Sequence, residues 1–147
     1  MNEKTFERSI DDLKGISARY EIMRAHFERV FTQAEGLAAD PASPLKGQGL
    51  RVKMDAGAIL IEFVDRRIRI SMRYNRKTGK GVLHVDDESA VRPGRLPETF
   101  ERIEFTGKGD TDLVGEDEDK LTLSEPADCM LLVARLVDTA LDRDPWK

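Results

Sequence analysis

A single cysteine, Cys129, stands in 147 residues. No disulfide can form within the chain, and a reducing cytoplasm is the expected compartment. No apolar run approaches the ~20 residues that cross a bilayer, which sets the expectation of no membrane partner. The N-terminal stretch MNEKTFERSIDD is polar and acidic, unlike a signal peptide or an Arg-rich transit sequence. Histidines are few, His26 and His84, and neither has a second histidine or cysteine close by in sequence. The three or four ligands of a firm transition-metal site are therefore missing locally. The serines lack a G-x-S-x-G setting, and Gly79-Lys80-Gly81 follows Thr78 without the Walker spacing. These absences predict a chain with no cofactor and no catalytic role.

What the chain has in quantity is charge. Charged residues make up 35% and hydrophobic residues 39%, enough for one core under a heavily charged surface. The net charge is -4, and it is unevenly spread. Residues 51–80 carry nine Lys/Arg against three Asp/Glu; residues 86–128 carry fourteen Asp/Glu against five Lys/Arg. A basic middle followed by an acidic third predicts either mutual pairing in the fold or a partner for one of them.

Residues 5–37 read as helix. Phe6, Ile10, Leu13, Ile16, Tyr20, Met23, Phe27, Val30, Ala34 and Leu37 recur at three- and four-residue spacings. A helix of this length runs to about 50 Å, longer than a small domain is wide. It must break near Gly15 or overhang its domain, and an overhanging apolar stripe needs a second subunit or another partner. Residues 38–48, rich in proline and glycine, form the only linker-like loop.

The period then switches to two. Strands are expected at about 49–54, 58–64, 67–74 and 81–86, with turns at 56–57, 65–66 and 75–80. A loop at 56–57 places Met54 opposite Ile59 and Val52 opposite Ile61. A loop at 65–66 places Phe63 opposite Ile68 and Ile61 opposite Ile70. A four-residue loop at 76–79 adds Val85 opposite Ile70 and Leu83 opposite Met72. Every inward position is apolar, and a one-residue slip would flip the set to the wrong face, so the pattern predicts an antiparallel meander with one buried face. On the other face this register aligns Arg51, Glu62, Arg69 and Asp86 in one row of alternating charge. Leu60 and Val64 join that face, and excess cations remain at Arg66, Arg67, Arg73, Lys77 and Lys80.

A fifth strand is expected at 100–106 and a short hairpin at 111–114 and 120–124 around an acidic tip, Glu116, Asp117, Glu118 and Asp119. A helix follows at 126–142, with Ser124 as its cap and Pro126 in the first turn. The expected fold is α+β in one domain: helix 5–37, loop 38–48, sheet 49–124 and helix 126–142, both helices on one sheet face.

His84 and Asp86 share a strand face and are the only imidazole–carboxylate pair close in sequence, but Asp86 is expected beside Arg69. His26 is expected on the exposed side of its helix. Cys129, without a histidine partner, reads as an inert core thiol. The segment DTDLVGEDED lacks the ligand spacing of a calcium loop. The arginine strand 64–74 with the 75–80 turn could meet phosphates. Its aromatics, Phe63 and Tyr74, fall on the core side, away from any stacked base. The reading favoured by these residues is a small cytosolic protein-binding module of adaptor, chaperone-like or inhibitor type. It would self-associate and use Arg66, Arg67, Arg73, Lys77, Lys80 and the acidic tip 116–119; nucleic-acid binding is the alternative.

Overall fold

The computed structural model describes residues 3–40, 49–89, 97–115 and 119–143. In chain order it has α1 (Glu3–Ala39), β1 (Arg51–Asp55), β2 (Ala58–Phe63), β3 (Arg66–Asn75), β4 (Lys80–Asp87), β5 (Glu98–Phe105), β6 (Asp110–Val114), β7 (Lys120–Thr122) and α2 (Pro126–Asp142). The strands form one seven-stranded antiparallel meander, each beside its neighbour in sequence. This is the expected α+β architecture. Among the described residues no helix is long and apolar enough to cross a membrane.

The inward faces supply the core. Ile59, Ile61, Ile68, Ile70, Leu83, Val85, Ile103 and Phe105 pack with Met23, Phe27, Val30, Ala34 and Leu37 of α1 and with Cys129, Leu132, Val133, Leu136, Val137 and Ala140 of α2. Both helices therefore cover the same sheet face. Phe105 stacks over Gly81, its cross-strand partner; a Cβ on Gly81 would lie 2.3 Å from the ring. Only the missing side chain lets the ring lie flat there.

Two turns set the register of the first three strands. Ala56 (φ 50) and Gly57 (φ 81) both take positive φ, the requirement of a tight type I′ hairpin. Met54 then faces Ile59 and Val52 faces Ile61, as expected. The second turn lies at Val64-Asp65, not 65–66. Ile61 consequently faces Ile68, Ile59 faces Ile70, and Phe63 faces Arg66. The displacement is two residues, one full pleat, so every inward residue stays inward. Val64 misled the reading because a β-branched residue belongs in a strand by propensity, yet it sits at φ 58 and is 74% exposed.

The charged row changes with the turn. Arg51 and Arg67 flank Glu62, while Arg69 pairs across with Leu60 on one side and Asp86 on the other. The β3–β4 register places Ile70 opposite Val85 and Met72 opposite Leu83, as expected.

α1 does not break at Gly15; it is one helix of 37 residues, about 55 Å long. Its buried residues begin at Met23. Residues 3–22 project beyond the sheet, with Phe6 58%, Leu13 62% and Tyr20 39% exposed. At the other end of the chain, the cap of α2 differs from expectation. Glu125 occupies the cap position without a side-chain hydrogen bond, and Pro126 begins the helix. Ser124 instead donates its hydroxyl to the Lys108 carbonyl, and Asp128 reaches back to accept from the Thr122 N–H at 3.0 Å.

Candidate functional site

The sheet face opposite the helices has two dissimilar ends. At the end near the β2–β3 turn, charge is matched. Arg69 donates to Glu88 through Nε at 2.6 Å and to Asp55 through Nη2 at 2.8 Å. The second bond reaches from β3 across β2 to β1, over Ala58 and Leu60, which are 5% and 1% exposed. Leu60 is thus covered by its own sheet's ion pair, and not left open as the sequence suggested. Arg69 holds the Asp55 carboxyl below its ordinary range, first by hydrogen bond and then by charge, and the two carboxylates raise Arg69. Arg67 lies 3.5 Å from the other Glu88 oxygen. Nearby, Arg143 bridges Asp87 (3.1 Å) and Glu98 (2.9 Å) while lying over the Phe100 ring. Burial pushes Asp87 up, but hydrogen bonds from Ser89 and Arg143 outweigh it and lower the carboxyl.

At the other end, around the β3–β4 turn, charge is unmatched. Arg73, Tyr74, Asn75, Arg76, Lys77, Val82, His84 and Arg102 line an open groove of about 330 Å³. The turn is held by Asn75, whose side-chain oxygen accepts from the Lys77 N–H at 3.0 Å while its carbonyl accepts from Gly79. That fold-back presents Arg76 and Lys77 outward. Register places Arg102 directly across from His84, and Arg73 across from Val82. Arg73, Arg76, Lys77 and Arg102 are all exposed, and none makes an ion pair with a carboxylate among the described residues. His84 registers the resulting field. Burial is the largest cause of its lowered pKa, and Arg102 and Arg73 lower it further against a weaker pull from Asp86.

The sequence-predicted cations separate accordingly. Arg73 and Lys77 belong to the groove. Arg66 is mostly buried; it donates to the Leu141 carbonyl at the end of α2 and sits 3.4 Å from Asp65, so it serves packing more than contact. Arg67 is engaged by Glu88, and Lys80 lies 3.8 Å from Glu104. Of the acidic tip, Asp119 is exposed and its carbonyl accepts from the Gly115 N–H, while Glu116, Asp117 and Glu118 lie outside the described residues. Arg102 went unnoticed in sequence because it sits in an acidic stretch, and only the β4–β5 register joins it to the cluster; Arg76 was passed over although Lys77 and Lys80 of the same turn were named.

His26 is buried, not exposed. Its Nε2–H donates to the Gly107 carbonyl at 2.8 Å, leaving Nδ1 to accept from Arg29 at 2.9 Å. Arg29 also donates to Leu123, so the pair clips α1 onto the β5–β6 turn and the lead-in to α2. Burial pushes the Cys129 thiol up to about 11, and its S–H points to the Leu123 carbonyl. Both residues thus serve the core. Among the described residues no group of three or more His, Cys, Asp or Glu is placed to hold a metal ion.

No protein-family model matches this chain, and neither a curated protein nor a solved structure matches it.

Proposed function

We propose that this protein is a non-enzymatic protein-binding module that works by assembly with other protein surfaces. The observation that carries the reading is the projecting half of α1, where Phe6, Leu13 and Tyr20 are exposed to water. Such a stripe costs solubility unless something covers it, and a helix laid against another apolar surface is a recurrent way to do so. The groove of Arg73, Arg76, Lys77 and Arg102 is the second contact. In a chain of net charge -4 it is a local exception, suited to a small acidic surface on a protein partner.

Nucleic acid is the weaker reading. Single-strand binders stack bases on exposed rings beside their cations. The one aromatic residue lining this groove, Tyr74, packs against the core with its hydroxyl buried. The chain's overall acidity also opposes long-range attraction to a polyanion.

The test is affinity capture from nuclease-treated lysate of the producing cell, comparing wild type with Phe6→Ser/Leu13→Ser and with Arg73→Glu/Arg102→Glu. Protein partners lost with either variant support the reading. Identical captured proteins from all three would remove it. Nucleic acid retained without nuclease, and released only by Arg73→Glu/Arg102→Glu, would transfer the groove to the second reading.

A further inference from the structure

The apolar stripe of α1 is a five-heptad seam. Phe6, Leu13, Tyr20, Phe27 and Ala34 stand seven apart, as do Ser9, Ile16, Met23, Val30 and Leu37, and only Ser9 is polar. From Met23 onward every residue of this seam is buried in the domain core. Before Met23 the same seam continues out of the domain, with Phe6, Ser9, Leu13 and Tyr20 exposed and Ile16 half-buried. A seam of this spacing is the surface that another helix packs against.

We infer that the projecting half of α1 pairs antiparallel with the same segment of a second copy of this chain. The inference rests on reading α1 as a protein-contact surface and names its occupant. Three features select a second copy in this orientation. First, the lengths agree: the overhang spans residues 3–22, and with Leu13 laid on Ile16 of an antiparallel second copy, residues 7–22 of each overlap over about 24 Å. Second, flanking charges are self-complementary. Asp12 and Arg19 are exposed, border the seam on the same side, and have no ion-pair partner among the described residues. In an antiparallel pair such positions face each other across the seam, and packing Leu13 on the second copy's Ile16 sets Asp12 against the second copy's Arg19, twice by symmetry.

Third, the alternatives are penalised by the same two residues. Sliding the pair by one heptad either way sets Asp12 against Asp12 or Arg19 against Arg19. A parallel pair sets Arg19 against the second copy's Arg24. Only this antiparallel register brings opposite charges together, and it carries Phe6 to the edge of the second copy's domain, where the buried Met23 begins the core. The pairing would cover Phe6, Leu13 and Tyr20 of both copies, three of the large apolar side chains that the domain itself leaves exposed.

Sedimentation equilibrium on the purified chain decides this. Wild type is expected to form a dimer. Asp12→Arg alone and Arg19→Asp alone should each weaken it by about tenfold, since two attractive pairs become repulsive. The double swap Asp12→Arg/Arg19→Asp should restore it. These positions touch no core residue, and circular dichroism checks that each variant folds. Orientation is read by oxidation: a mixture of Ser9→Cys and Tyr20→Cys chains should cross-link, whereas Ser9→Cys alone should not. Cys129, being buried, stays out of this reaction. Self-linking of Ser9→Cys, or swaps without effect on the dimer, would overturn the antiparallel pair. A wild-type chain that stays monomeric, yet loses captured partners on Phe6→Ser/Leu13→Ser, would overturn self-pairing while leaving the protein-contact reading intact. Loss of neither dimer nor partners in that variant would end both.

Discussion

The two halves of α1 share one apolar pattern and meet opposite fates. Phe27 is fully buried; Phe6, three heptads earlier on the same seam, is 58% exposed. Periodicity therefore marks an apolar face, but not whether the domain itself covers it. The covered half is where the sheet and α2 supply partners, and the other half begins where they stop. The outer sheet face repeats the lesson in charge. Arg69 is held by Glu88 and Asp55, while Arg73, four residues along the same strand, faces solvent in the open groove.

The comparison can be broken most forcefully at Phe27. Phe27→Ala should cost about 3–5 kcal/mol of unfolding free energy through lost burial and a cavity, whereas Phe6→Ala should leave the stability of the isolated domain within ~0.5 kcal/mol. Urea unfolding at low protein concentration measures both, and equal losses would refute the division of the helix. The charged face offers a smaller contrast. Arg69→Ala strands the mostly buried Glu88 and should cost about 1–2 kcal/mol, while Arg73→Ala should cost nothing measurable. A third change runs the other way. Val64 holds a positive φ that glycine adopts freely, so Val64→Gly should raise stability by about 1 kcal/mol.

The smallest effect is a pH slope. His84 is harder to protonate folded than unfolded, because it is partly buried and faces Arg102 and Arg73. As pH falls below the ordinary histidine value of 6.5, the unfolded chain takes up the proton first, so stability declines until the folded pKa is passed. His84→Asn should flatten that part of the stability curve. An acidic peptide bound in the groove should raise the His84 pKa, which proton NMR of the imidazole would report.

The fold was legible because its signals are local and redundant. Inward isoleucines on β2 and β3 tolerate a misplaced turn: a two-residue error at Val64-Asp65 left Ile59, Ile61, Ile68 and Ile70 on the core face. The charged face had no such tolerance. The same error exchanged Arg69's neighbour from Glu62 to Leu60 and hid the Arg69–Asp55 bond, which joins strands that are not adjacent. His26 was misread for a related reason. Its partner Gly107 lies 81 residues away, Leu123 is held by the neighbouring Arg29, and no periodicity within α1 announces either contact. The groove needed the β4–β5 register to bring Arg102 beside His84, and its four cations span two distant stretches of sequence.

The order of the sheet has a consequence for how the chain reaches this structure. Every strand pairs with the one before it, so each pairing closes a short loop, and the sheet can zip from a single hairpin at low entropic cost. The β3–β4 hairpin, with eight paired positions and the turn fixed by Asn75, is the natural nucleus. α1 precedes the sheet in sequence, and its tertiary contacts are with β1, β3, β4 and α2. If the β3–β4 hairpin forms ahead of this packing, substitutions at Phe27 should speed unfolding more than they slow folding, which stopped-flow kinetics would measure.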